Sequence, residues 1–123
     1  MENQKYNVTL ARRADRMLIM HTEFLARVST SAARRLLADF KKVTRLLADN
    51  PFQFPYADDI DVPGIPPETY RKCVFDGRYK ALYLIENEDV YIDAVIDCRQ
   101  ENKDLYYTNF EGKAILTPFL EFR

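Results

Sequence analysis

The stretch VYIDAVIDCRQ, residues 90–100, alternates like a strand and then ends in an acid, a thiol, an arginine and an amide: Asp97, Cys98, Arg99 and Gln100. Two chemistries fit that ending. An arginine closing a core strand can stand at the mouth of an active site, where a guanidinium grips an oxyanion such as phosphate. Alternatively the strand has reached solvent. Asp97, two residues before Arg99, then shares its face and partly neutralises it, and a pair of Arg99 with Asp97 or Asp93 is a structural bridge. The other chemistry-bearing side chains are sparse. A single histidine, His21, argues against a zinc site or a histidine-based nucleophile, and Cys73 and Cys98 stand apart rather than as Cys-x-x-Cys. The expectation is two free thiols, no metal and no cofactor.

The elements that must position these residues follow from the apolar pattern. "KYNVTL", residues 5–10, alternates as a short first strand. From Ala11 the period changes to that of a helix. Ala14, Leu18, His21, Leu25 and Val28 share one stripe, with Met17, Met20 and Phe24 beside it as an adaptable apolar flank. His21 inside the stripe reads as a half-buried structural histidine. The hydroxyls of Ser29, Thr30 and Ser31 offer caps for a second helix, whose apolar face is Ala33, Leu36, Leu37, Phe40, Val43, Leu46 and Leu47. Asp49, Asn50 and Pro51 end it. The two helices, about eighteen and twenty residues on a rise of 1.5 Å each, form a helical hairpin. Residues 52–69 hold four of the six prolines and have no period, so they read as an irregular connection. Residues 70–97 then read as a three-stranded antiparallel meander, turning at Asp76-Gly77 and near Asn87-Glu88. The tail, residues 101–123, contains a possible hairpin turning at Glu111 and Gly112. It is apolar enough that it must bury against the sheet, a second copy of the chain or a partner, so a homodimer is one of the assemblies in view.

The order strand, two helices, three strands makes an α+β fold with the helical hairpin on one face of the sheet. The 123 residues fit one domain, with 47% hydrophobic and 30% charged residues. "MENQKYNVTL" lacks the apolar core of a signal peptide and no window approaches a membrane span, so a cytoplasmic protein without membrane contact is expected. The net charge of −1 hides a segregation: residues 1–45 carry +6 and residues 46–123 carry −7. The basic helical half can meet an acidic partner, whereas the acidic sheet half is a poor surface for polyanions.

With "SAARRLLADFKKVTRLLADNP" followed by "YRKCVFDGRYKALYLIENEDVYIDAVIDCRQ", the chain resembles the RelE/ParE superfamily of bacterial toxins, the growth-inhibiting halves of type II toxin–antitoxin (plasmid-stabilisation) modules. Ala32, Ala33 and Arg34 opening the second helix, residues 47–51 closing it, Arg78-Tyr79-Lys80, Tyr83 and Arg99 carry the similarity. It covers roughly residues 6–100, and the division it implies is a toxin domain at 1–100 and a C-terminal extension at 101–123. The implied partner is a cognate antitoxin wrapping the hairpin and sheet.

The superfamily implies two biochemistries. RelE-like members are ribosome-dependent endonucleases on messenger RNA. Cutting RNA with its own 2′-OH needs no metal, only a base, cations for the phosphorane and an acid. The resemblance would put Lys80 and Arg99 on the phosphate, with Arg71, Lys72 and Arg78 nearby as substrate-binding cations and Tyr106 or Tyr107 as the C-terminal tyrosine. ParE-like members bind and poison DNA gyrase. The long helices and the acidic sheet half favour a ParE-like or unassigned target over RNA cleavage. A relative that has lost toxicity and only binds a partner is the third reading.

Overall fold

The computed structural model describes residues 5–58, 61–98, 106–108 and 114–116. Strand β1 (Asn7–Leu10) leads into α1 (Arg12–Ala26) and α2 (Thr30–Asp49). A 3₁₀ turn (Pro51–Gln53) follows, and a long connection leads to β2 (Arg71–Phe75), β3 (Tyr79–Glu86) and β4 (Asp89–Asp97). The sheet order is β1-β4-β3-β2, so the last strand of the meander is internal and pairs in parallel with the first strand of the chain. Two short strands, β5 (Tyr106–Thr108) and β6 (Ala114–Leu116), pair antiparallel as the expected tail hairpin, whose turn lies outside the described residues.

Local chemistry sets these limits. Ser29 caps α2 by accepting from Ala32 N at 3.1 Å. Asn50 stops it, its side chain turning to accept from Phe52 N. At the β2–β3 turn Asp76 and Gly77 both have positive φ, 52° and 64°, the left-handed pair that tight hairpins require. α1 is shorter than the apolar stripe suggests. It ends at Ala26, so Val28 lies beyond the last turn and is 81% exposed rather than core-facing. Met17 packs inward, while Met20 and Phe24 stay about half exposed, as do Leu37 and Leu46 of α2.

The sheet is covered on both faces. Ala14, Leu18, Leu36, Phe40, Val43 and Leu47 of the helical hairpin pack on Phe75, Tyr79, Ala81, Tyr83, Val90, Ile92 and Val95. On the other face Ala57, Val62 and Ile65 of the proline-rich connection, with Tyr70, cover Leu82, Ala94 and Ile96. The connection is therefore a second layer, not a loose strap. β1 flanks β4 only as far as Ile92, where Ala11 N donates to Ile92 O at 2.9 Å. Beyond it α1 supplies the donors: Arg13 Nε reaches Asp93 O at 3.2 Å and His21 Nε2 donates to Val95 O at 2.9 Å. His21 also lies against the Tyr79 ring, so it takes the half-buried structural role expected of it.

Cys73 and Cys98 are both free, and β3 separates β2 from β4, so the strands that carry or precede them are not neighbours. Cys73 is buried, and burial pushes its thiol up to about 11. Cys98 is exposed. An aromatic disulfide reagent at pH 8 is expected to titrate one thiol rapidly in the native chain, with the second released only on denaturation.

Candidate functional site

Lys72 and Lys80 project from adjacent strands onto the face covered by the connection. Asp61 of that connection receives both, Lys72 Nζ at 2.7 Å and Lys80 Nζ at 2.5 Å, and also accepts from Asp58 N at 2.9 Å. Burial alone would raise the Asp61 carboxyl. The hydrogen bonds from Lys72, Lys80 and the Asp58 amide, with the charge of Lys80, outweigh it and hold the group well below the usual carboxylate range. A depressed pKa stabilises the fold above the unfolded value of about 4, and that stabilisation is lost as pH falls toward the folded value. The gap in urea midpoint between the wild type and Asp61→Asn is accordingly expected to be widest near neutral pH and to shrink below about pH 4.

The remaining cations singled out on the meander are also engaged. Arg78 donates to Asp97 Oδ2 through Nε at 3.0 Å and Nη2 at 2.8 Å, which raises its own pKa, and it lies 5.2 Å from the Tyr79 ring centre. Asp97 therefore neutralises Arg78. Arg71 is held between two rings, 4.1 Å from Tyr56 and 5.5 Å from Phe52, and donates to Phe54 O at 2.6 Å. Arg99 lies outside the described residues. Tyr106 is placed in β5 by its backbone, and its side chain lies outside the description.

One cluster had no counterpart in the sequence reading. The β3–β4 register shifts between Leu82 and Tyr83, leaving Asp93 as the extra residue of a bulge. The bulge turns the Asp93 carboxylate inward at 1% exposure, where Arg13 meets it through Nε at 3.1 Å and Nη2 at 2.5 Å and the Tyr70 hydroxyl donates to it. This buried group joins the start of α1, the internal strand and the end of the connection. Asp93 is thus taken by Arg13, not held in reserve for Arg99. The available signal was an acid at a core position of an apolar strand.

The outer surface of the helical hairpin is chemically different from the sheet. Arg34, Lys41 and Arg45 are exposed on α2 and make no ion pair among the described residues, while Arg35 pairs with Asp76 and Lys42 with Asp39. Half-exposed Leu37 and Leu46 lie on the same helix, with Ile19, Met20 and Phe24 on α1. Exposed cations beside apolar side chains suit a protein surface better than a catalytic cleft.

Comparison with known proteins places these features. No curated protein matches the chain. Among solved structures, the fold is similar to one described as the chromosomal ParDE TA system from P. aeruginosa, with a TM-score of 0.57 at 13% identity, covering 77% of this chain and 98% of that one. The family described as ParE toxin of type II toxin-antitoxin system, parDE, matches residues 8–102. With the helical hairpin, the meander and all but the first residue of β1 inside that span, the chain belongs to the ParE toxin family and is the toxin component of a type II system.

Proposed function

We propose that the chain inhibits growth by gripping a protein target, DNA gyrase on the family resemblance, and that a cognate antitoxin neutralises it by covering the binding surface. The observation that carries this reading is the contrast between its two halves. Lys72, Lys80 and Arg78 are matched to carboxylates and Arg71 is stacked between rings, whereas Arg34, Lys41 and Arg45 stand exposed among apolar side chains on the hairpin. An RNase needs cations available to a phosphorane. A binding toxin needs a surface.

The test is induced expression without antitoxin, scored for growth, with plasmid supercoiling and messenger integrity followed together. Growth arrest with intact messages, relieved by co-expressed antitoxin and at least tenfold weaker for the triple variant Arg34→Glu, Lys41→Glu, Arg45→Glu, is the expected result. Because these positions are exposed, the triple variant is expected to match the wild type in soluble yield and melting. No growth effect at good soluble expression overturns the toxin reading in favour of a binding module.

One observation favours RNA cleavage as a second reading. Asp61 is a single carboxylate shared by two ammonium groups, and Lys72 keeps 26% side-chain exposure, so one of the two remains within reach of a phosphate. On this reading Lys80→Ala with Arg99→Ala abolishes both toxicity and codon-phased messenger cuts while antitoxin binding persists. On the binding reading toxicity survives that double substitution.

A further inference from the structure

β2 pairs with β3 only as far as Tyr83, three residues short of the end of β3, and a cleft of about 370 Å³ lies beside them. Phe52, Tyr56 and Arg71 form one wall, Glu68 and Asn87 the rims, and Ile85 lines it from β3. The backbone at Ile85 follows from alternation. Lys72 N donates outward to Pro55 O at 2.9 Å, so Arg71 and Cys73 face β3, where they pair with Tyr83 and Ala81. Two residues on, the N–H and C=O of Ile85 point to the same edge, where β2 has no residue left. Thr69, next in register, lines the cleft, but among the described residues no backbone hydrogen bond joins it to Ile85. It is a short open strand edge inside a cleft.

The walls of the cleft are chemically defined. Phe52 and Tyr56 are 54% and 43% exposed, so each ring that grips Arg71 still presents surface to solvent. Arg71 itself is occupied by the rings and by the Phe52 and Phe54 carbonyls. The rims are acidic: Glu68 is exposed, and the exposed Glu86 and Glu88 flank Asn87. Glu68 has φ of 58°, a left-handed conformation that a β-carbon disfavours, and strain of this kind clusters at binding sites.

We propose that this cleft takes an extended segment of a partner protein that adds one strand rung to β3 at Ile85. The segment places an aromatic or aliphatic side chain against Phe52 and Tyr56 and a lysine or arginine toward Glu68. Main-chain pairing holds the segment, the rings select the apolar side chain, and the acidic rim selects the cation. The inference rests on the chain acting through protein partners, as under Proposed function. The lining of the cleft includes none of the hairpin's exposed basic residues.

The experiment selects random eight-residue peptides displayed on phage against the full chain, then measures the synthetic consensus peptide by calorimetry. The expected consensus alternates, with a basic residue next but one to an aromatic or aliphatic one. Its affinity is expected to fall at least about tenfold for Glu68→Arg, and as far when the peptide amide paired with Ile85 is N-methylated. Glu68 is exposed, so Glu68→Arg is expected to melt with the wild type. Acidic or unpatterned peptides, indifference to both changes, or no selected binder overturns the proposal. The growth assay reads the toxin separately. A chain that arrests growth and is rescued by antitoxin but selects no such peptide sinks the cleft alone, and a harmless chain that binds the consensus sinks only the toxin reading.

Discussion

Asp93→Ala is expected to lower the unfolding free energy by about 3–5 kcal/mol, the cost of leaving one member of a buried ion pair without its partner. Single domains of this size hold only about 5–15 kcal/mol in total, so the variant should lose much of its urea midpoint or fail to accumulate. Removal of the carboxylate strands the Arg13 guanidinium, whose side chain is 5% exposed, and leaves the Tyr70 hydroxyl without its acceptor. Tyr70→Phe removes one hydrogen bond to a charged group and should cost less, about 1.5–3 kcal/mol. The diagnostic comparison is the triple change Arg13→Met, Asp93→Leu, Tyr70→Phe. If desolvated charge is the main term, this apolar replacement recovers most of the loss, because well-packed hydrophobic substitutes for buried ion pairs are often neutral or stabilising. A triple variant as unstable as Asp93→Ala would instead mean that the bulge itself needs the carboxylate.

Tyr83→Ala is expected to cost a similar amount, about 3–5 kcal/mol, by analogy with buried aromatic truncations. Tyr83 is 0% exposed at the centre of β3, and its hydroxyl donates to Pro51 O at 2.6 Å, tying the end of the helical hairpin to the sheet. Tyr83→Phe separates the two contributions. It keeps the ring and abandons a buried carbonyl, so about 1–3 kcal/mol is expected, with the m-value unchanged in urea. If Phe costs as much as Ala, the Pro51 link outweighs the ring, and the packing account of this position fails.

Much of the architecture was legible because it rests on local patterns. Alternation in residues 70–97, with Asp76-Gly77 between two runs, is enough to specify a meander, and Ser29 and Pro51 bracket the second helix. What escaped was long-range. Ala57, Val62 and Ile65 lie too irregularly among prolines to display a period, yet they cover a whole face of the sheet. Arg13 reads as one more cation of a basic helix, and only the bulge at Asp93, 80 residues away, explains its burial. The positions of Lys72 and Lys80 were evident, but their shared partner was not. Asp61 sits 11 and 19 residues from them in a segment whose conformation no periodicity describes.

The parallel pairing of β1 with β4 has a consequence for the timing of synthesis. Asn7 and Val8 meet Asp89 and Val90, so the first strand translated waits for the last strand of the meander before it has a sheet neighbour. A nascent chain that stops short of β4 has its helical hairpin but neither the internal strand nor the Arg13 clamp, and the covered sheet cannot close. Contacts of such sequence separation slow folding relative to local ones. On the function proposed above this ordering acts as a delay: incomplete translation products carry the hairpin and its exposed cations but no closed sheet to hold them in place.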